Sequence, residues 1–173
     1  LIALSSCLAG DIPQALLGGR REEAERLIRD YLSIFGPEHF YLELQDHGLA
    51  EQKQVNVQLL RLADALGVEV VATNDVHYLE RKDHVDHDVL LAIGTGKTLA
   101  DTDRLRFPNA QFYLKSPEEM QALFHYCPQA LENTERIAKR CQMDFDFKTL
   151  HLPAYPMPPG KTAADYLAEL CEV

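Results

Sequence analysis

An α/β architecture of parallel strands with intervening helices, a βα barrel or an open sheet, is the fold class that this sequence predicts. Three observations carry it. Short apolar runs (LIALSS, FYLEL and EVVAT) recur along the first ninety or so residues. Single stretches of helical periodicity separate them, and turn residues punctuate each change. Strands that alternate with helices pair in parallel, because a parallel partner requires a crossover long enough to hold a helix.

Leu1–Ser6 is the first strand, and Ile12–Leu17 a short helix closed by Gly18-Gly19. Residues 21–35 place Ala24, Leu27, Ile28, Tyr31, Leu32 and Phe35 on one helical stripe. Phe40–Leu44 is the second strand. Over 51–66, Val55, Leu59, Leu62, Ala63 and Leu66 repeat at helical spacing until Gly67 stops the helix. Glu69–Thr73 is short and continuously apolar enough for a strand buried on both faces. A further helix over 82–93 carries Val85, Val89, Ala92 and Ile93. Residues 97–115 read as a polar loop with an extended Phe112-Tyr113-Leu114. Ser116-Pro-Glu-Glu119 is a capping box with Pro at the first helical position. The helix it opens ends near Pro128, and a second runs to Cys141. Four prolines between 144 and 160 make a stiff linker, and Thr162–Val173 begins another helix.

Composition narrows the function. With 46% apolar and 25% charged residues, the chain is of the globular class and not a disordered or collagenous one. No uncharged apolar run reaches bilayer length, and no basic-then-apolar leader opens the chain. The net charge is −10, of which −8 falls before Lys97. So acidic a piece is not a phosphate-tracking groove, which needs clustered Lys and Arg. It reads either as a soluble surface or as a half that collects cations. Cys7, Cys127, Cys141 and Cys171 form no CxxC pair, which favours reduced thiols in a cytoplasmic setting. The chain opens on LIALSS without an initiator Met and closes inside an amphipathic helix, so it reads as a fragment of something longer.

The segment with the most chemistry is Val70-Val-Ala-Thr-Asn-Asp75-Val-His77-Tyr78. Residues i and i+2 of an extended segment face one side, so the Asp75 carboxylate and His77 imidazole can meet one metal ion. They also follow a buried strand, where α/β folds place their chemistry. The plainer reading makes Asp75 a cap for the next helix and His77 a partner of the backbone. Cys7 follows the first strand in the same way, as a metal ligand, a nucleophile or an inert buried thiol. Together the three donor types favour a transition metal over Mg²⁺. Asp46-His47-Gly48 reads as a turn. Glu43 points into a site or pairs with a neighbour. His84 and His87, i and i+3 on a helix, are spaced to chelate, but among Asp83, Asp86 and Asp88 they read better as a solvated face. Lys97, Arg104, Arg106 and Lys115 read as phosphate contacts or, more simply, as ordinary surface charges. Gly94-Thr-Gly96-Lys97 lacks the spacing of a phosphate loop and follows a helix instead of a strand.

Read in order, LIALSSCLA (1–9), FYLELQDHG (40–48), VATNDVHYL (71–79), HDVLLAIGTGK (87–97), FYLKSPEEM (112–120), ALENTERIAKRC (130–141) and YLAELC (166–171) resemble the bacterial C-family replicative polymerases, the α subunits of DNA polymerase III. The resemblance covers essentially the whole chain. It implies that residues 1–110 are the carboxyl-terminal half of a PHP domain, a distorted βα barrel with a metal site at its strand ends. Residues 111–143 would be a helical connector, and 144–173 a Pro-rich linker and the start of the polymerase palm.

By position, Cys7 matches the family's thiol or imidazole ligand, and Asp75 and His77 its last metal motif. Ser6 departs from the family, where Gly is expected in many relatives. The resemblance further implies divalent metal at the PHP site, Zn or Mn, and Mg²⁺ in a palm outside this sequence. The site would act as a 3′–5′ exonuclease or phosphoesterase, or else serve as a docking platform. The implied partners are DNA, the sliding clamp and a proofreading exonuclease subunit. The family's first metal motifs and its palm aspartates lie outside the sequence, so the fragment alone is expected to be inactive. A stand-alone PHP phosphatase acting on small phosphate esters is the alternative.

Overall fold

The computed structural model describes residues 1–172. It contains a parallel three-stranded sheet of strands β1 (Ala3–Leu4), β2 (Phe40–Leu44) and β3 (Val70–Ala72), in that order across the sheet. Helices α1 (Asp11–Leu17) and α2 (Arg21–Phe35) join β1 to β2, and α3 (Ala50–Leu66) joins β2 to β3. Ala3 pairs with Phe40, and Leu42 with Val70. Spatial order that follows chain order is what the wall of a βα barrel has, whereas an open doubly wound sheet reverses at a switch point. The mixed α/β class and the βα alternation read from the sequence are those observed.

β2 is the buried centre. Phe40, Leu42 and Leu44 are within 1% of full burial. Ile12 and Leu16 of α1, Ala24 and Ile28 of α2, and Val55, Leu59 and Leu62 of α3 complete the apolar core around it. The left-handed Gly67 (φ +65°, ψ +37°) ends α3, its N–H donating to the Ala63 carbonyl. β1 is shorter than the apolar run that announced it, since only Ala3 and Leu4 pair in the ladder.

A 3₁₀ turn (Arg81–Asp83) leads into α4 (His84–Gly94). Of its expected apolar stripe only Ala92 is buried; Val85, Val89 and Ile93 are exposed. Periodicity identified the helix, and the structure leaves most of its apolar residues uncovered. Residues 77–79 and 112–114 run side by side, with a parallel bridge between Tyr78 and Tyr113. The capping box is formed: Ser116 Oγ accepts from the Glu119 N–H at 3.2 Å, and the Glu119 carboxylate accepts from the Ser116 N–H. It opens α5 (Pro117–Leu123), which ends five residues before Pro128. α6 (Pro128–Arg140) packs on β3. The buried Asn133 side chain donates at 2.7 Å to both the Val70 carbonyl and the Glu69 carboxylate. Phe124, Cys127 and Ala130 enter the core, so α5 and α6 are structural parts of the same compact unit, Leu1–Cys141.

The second unit, Gln142–Val173, has no helix or strand before α7 (Ala163–Cys171). Thr162 caps α7, its Oγ1 accepting from the Asp165 N–H. The helix read as far as Val173 reaches a residue that lies outside those described. Among the described residues no helix is long and apolar enough to cross a membrane.

Phe124, at the end of α5, is fully buried in the core. Phe124→Ala is expected to cost about 3–5 kcal/mol. Ile34→Ala, on the exposed side of α2, is expected to change stability by no more than about 0.5 kcal/mol. Denaturant unfolding of the two variants checks both values.

Candidate metal centre at the strand ends

In a parallel ladder all three strands finish on the same rim, and each carries polar side chains at or just beyond its end. After β1 the chain turns at Ser6, whose φ of +69° is left-handed. A glycine would occupy that conformation without strain, which gives the physical sense of the glycine expected there. The turn closes when the Gly10 N–H donates to the Cys7 carbonyl at 2.9 Å. A Cβ on Gly10 would lie 2.6 Å from the Ser5 carbonyl oxygen, so the turn presenting Cys7 needs a glycine at its end. The half-buried Cys7 thiol borders a small hollow shared with Glu43, Gln45 and Asn56.

The end of β2 supplies a polar bridge across the rim. Thr73 Oγ1 donates to Glu43 Oε1 at 2.5 Å, and Gln45 Nε2 donates to the same oxygen at 2.9 Å. Glu43 thus pairs with neighbours, and through Thr73 it connects the Cys7 side of the rim to the strand that bears Asp75. Asp46 accepts from the Gly48 N–H at 2.8 Å, which makes the turn read there.

Beyond β3, Asp75 Oδ1 lies 3.1 Å from His77 Nε2. Both side chains are about one-third exposed, which leaves them open to an ion from solvent. Asp75 caps no helix; the box at the next helical turn is made by Glu80 and Asp83. Two ligands at ~2.1 Å in a tetrahedral site stand about 3.4 Å apart, so this carboxylate and imidazole suit one divalent ion with little movement. Cys7 does not join them. Among the described residues no group of three His, Cys, Asp or Glu side chains is close enough to hold a metal. The structure therefore brings Asp75 and His77 together and leaves Cys7 further along the same rim.

Several residues read from the sequence as ordinary are not. His47 is 1% exposed and stacks on Phe112 with ring centroids 4.2 Å apart. The Gln52 side chain accepts from the His47 backbone N–H at 2.7 Å and donates to His47 Nδ1 at 2.8 Å. Nδ1 being an acceptor, Nε2 carries the proton and donates to the Asn74 carbonyl at 2.7 Å. His87 leaves the solvated face assigned to it: its ring lies 5.5 Å from that of His77 and 4.9 Å from that of Phe107. Beside this aromatic wall opens a cleft of about 400 Å³, lined by Tyr78, His84, His87, Arg106 and Phe107 among others.

Two of the four charges read as superficial are buried. The Arg104 side chain is 3% exposed and forks onto Asp88 at 2.6 and 2.5 Å, holding that carboxyl below its usual range chiefly through these bonds. The Lys115 ammonium donates to Asn74 Oδ1 at 3.1 Å and to the Gln111 carbonyl, and burial pushes its pKa down. Partners 16 and 41 residues distant leave no local sequence signal. His47 stood at a strand end, the one position that marked it for attention.

Burial, outweighing its hydrogen bond to Asn74, lowers the pKa of His47, and burial followed by the charge of His77 lowers that of His87. The unfolded chain thus binds more protons than the folded one once pH falls below about 6.5. Stability is expected to be level above that pH and to decline below it, towards the folded pKa values. Denaturant midpoints from about pH 7.5 to about pH 5 check this, and His47→Gln is expected to flatten the decline by removing one of the two groups.

A PHP domain model matches residues 1–47. The chain is similar to DNA polymerase III subunit alpha of Treponema pallidum, 49% identical over 91% of the chain and 14% of the relative. For the protein of the same name from Thermus aquaticus the figures are 45%, 98% and 14%, and for that of Pseudomonas aeruginosa 41%, 96% and 14%. The chain thus spans about one-seventh of the length of the curated relatives it matches. Similarity at this level, carried through both structural units, identifies the chain as a segment of the DNA polymerase III α-subunit family that includes part of its PHP domain.

Proposed function

We propose that this chain is the metal-binding PHP part of a replicative DNA-directed DNA polymerase. The parent protein is a nucleotidyltransferase whose Mg²⁺ ions sit on palm carboxylates elsewhere in the polypeptide. The observation that carries the metal reading is the Asp75–His77 pair, 3.1 Å apart and accessible at the end of a parallel strand. Asp75 and His77 would hold a divalent ion, Zn or Mn, with donors from the rest of the polypeptide completing the set and Cys7 standing apart from it. Once bound, such an ion lowers the pKa of a coordinated water and neutralises a phosphodiester oxygen, which is the chemistry of a 3′–5′ exonuclease or phosphoesterase. The Phe107 and Phe112 rings limit solvent on one side of the His77 imidazole, and Glu43 with Thr73 ties the two parts of the rim together.

Similarity that continues through the Pro-rich segment and α7 favours the polymerase over a stand-alone phosphatase. DNA, the sliding clamp and a proofreading exonuclease subunit are the partners of the parent, and the cytoplasm is its compartment. The docking-platform reading has its own support in α4, where Val85, Leu90 and Ile93 are all more than half exposed.

Metal analysis and a 3′-end excision assay on the intact protein test the site. Asp75→Asn is expected to lose bound metal and excision together, while unchanged metal content would reduce Asp75 to a structural role. Bound metal without excision in the wild type would favour the platform. Mg²⁺-dependent primer extension by the same preparation tests the polymerase assignment.

A further inference from the structure

Asn74, the residue before Asp75, is held at three atoms by two other parts of the chain, the turn after β2 and the 113–115 segment. Its carbonyl accepts from His47 Nε2 at 2.7 Å, its Nδ2 donates to the Tyr113 carbonyl at 2.7 Å, and its Oδ1 accepts from Lys115 Nζ at 3.1 Å. Asp75 itself has a φ of +42°, a left-handed conformation uncommon in non-glycine residues, although Asp is among those that adopt it. The carbonyl oxygen bonded by His47 belongs to the peptide plane that joins Asn74 to Asp75. Fixing the direction of that oxygen fixes the plane, and so restrains rotation about the N–Cα bond of Asp75. Gln52 holds His47 in the tautomer that can donate. On the far side, the His77 N–H donates to the Phe112 carbonyl at 2.8 Å, and Phe112 stacks on the same His47 ring. Both ends of the Asp75–His77 segment are therefore referred to one buried imidazole.

We propose that His47 and Lys115 are positioning residues, acting through Asn74 to hold the Asp75 carboxylate and the His77 imidazole at chelating separation. The inference rests on the metal reading of that pair given above. Without the two donors the Asn74–Asp75 peptide is free to turn, Asp75 relaxes to negative φ, and its carboxylate swings away from His77. Neither positioning residue touches the ion.

The test is a Co²⁺ titration of the intact protein, followed by d–d absorption, with thermal unfolding measured on metal-free protein. His47→Leu and Lys115→Met are expected to weaken Co²⁺ binding by about 10–100-fold. His47→Gln, which keeps a donor near the Nε2 position, is expected to recover most of that loss. In metal-free Lys115→Met, the amide of His77 is expected to exchange hydrogen faster than in the wild type. A merely structural role would lower the melting temperature and leave the Co²⁺ affinity unchanged. If Asp75→Asn binds Co²⁺ as the wild type does, the metal reading itself fails. If Asp75→Asn loses Co²⁺ while His47→Leu and Lys115→Met retain wild-type affinity, the positioning role is overturned and the metal reading stands. Should His47→Leu fail to fold, Lys115→Met and Asn74→Ala decide, and wild-type Co²⁺ affinity in both overturns the proposal.

Discussion

The parallel pairing of β2 with both of its neighbours is the constraint on which the rest of the structure depends. Parallel strands share a direction, so their carboxyl ends gather on one rim regardless of how far apart they lie in sequence. Cys7, Glu43 and Asp75 come from three strand ends and reach that rim only because the ladder aligns them. The pairing is sustained by burial: β2 has its backbone groups bonded on both sides and its side chains covered by α1, α2, α3 and the residues around α6. Loss of any of these layers would expose a strand whose polar backbone then has only water as partner.

Around this rim the protein uses neutral polar groups to hold charged ones. Gln52, Asn56, Asn133 and His47 are all buried, and each has its hydrogen bonds made within the chain. Burying a polar group is tolerable only when it is partnered, so a partnered group has few alternative positions and makes a stiff support. The side chains of Asp75 and His77 remain at the surface of this support, where an ion can reach them. The Arg104–Asp88 fork does related work away from the rim, pinning the 97–106 loop to α4 with a planar two-point contact that fixes orientation as well as distance.

Much of the fold was legible in local pattern. β2, α2, α3 and the capping box of α5 depend on spacing within a few residues, and for them periodicity and cap chemistry are direct consequences of backbone geometry. The pairing of Asp75 with His77 was legible for the same reason, since two residues separated by one position cannot lie far apart. The packing of α4 was not, because an apolar stripe states that a helix has a face to cover without stating what covers it. The burial of Arg104 and Lys115 was hidden as well, their partners being 16 and 41 residues distant in the chain.

The sequence by itself determined which segments become strands and helices, which donor types stand at the strand ends, and which family the chain resembles. Tertiary structure alone decided that Cys7 stays apart from the Asp75–His77 pair, that His87 joins the rings around His77, and that His47 governs the residue before Asp75. The reason is physical. Local preferences are fixed by neighbours along the chain, whereas burial, protonation and long-range hydrogen bonds are fixed by whichever groups the folded sheet brings into contact.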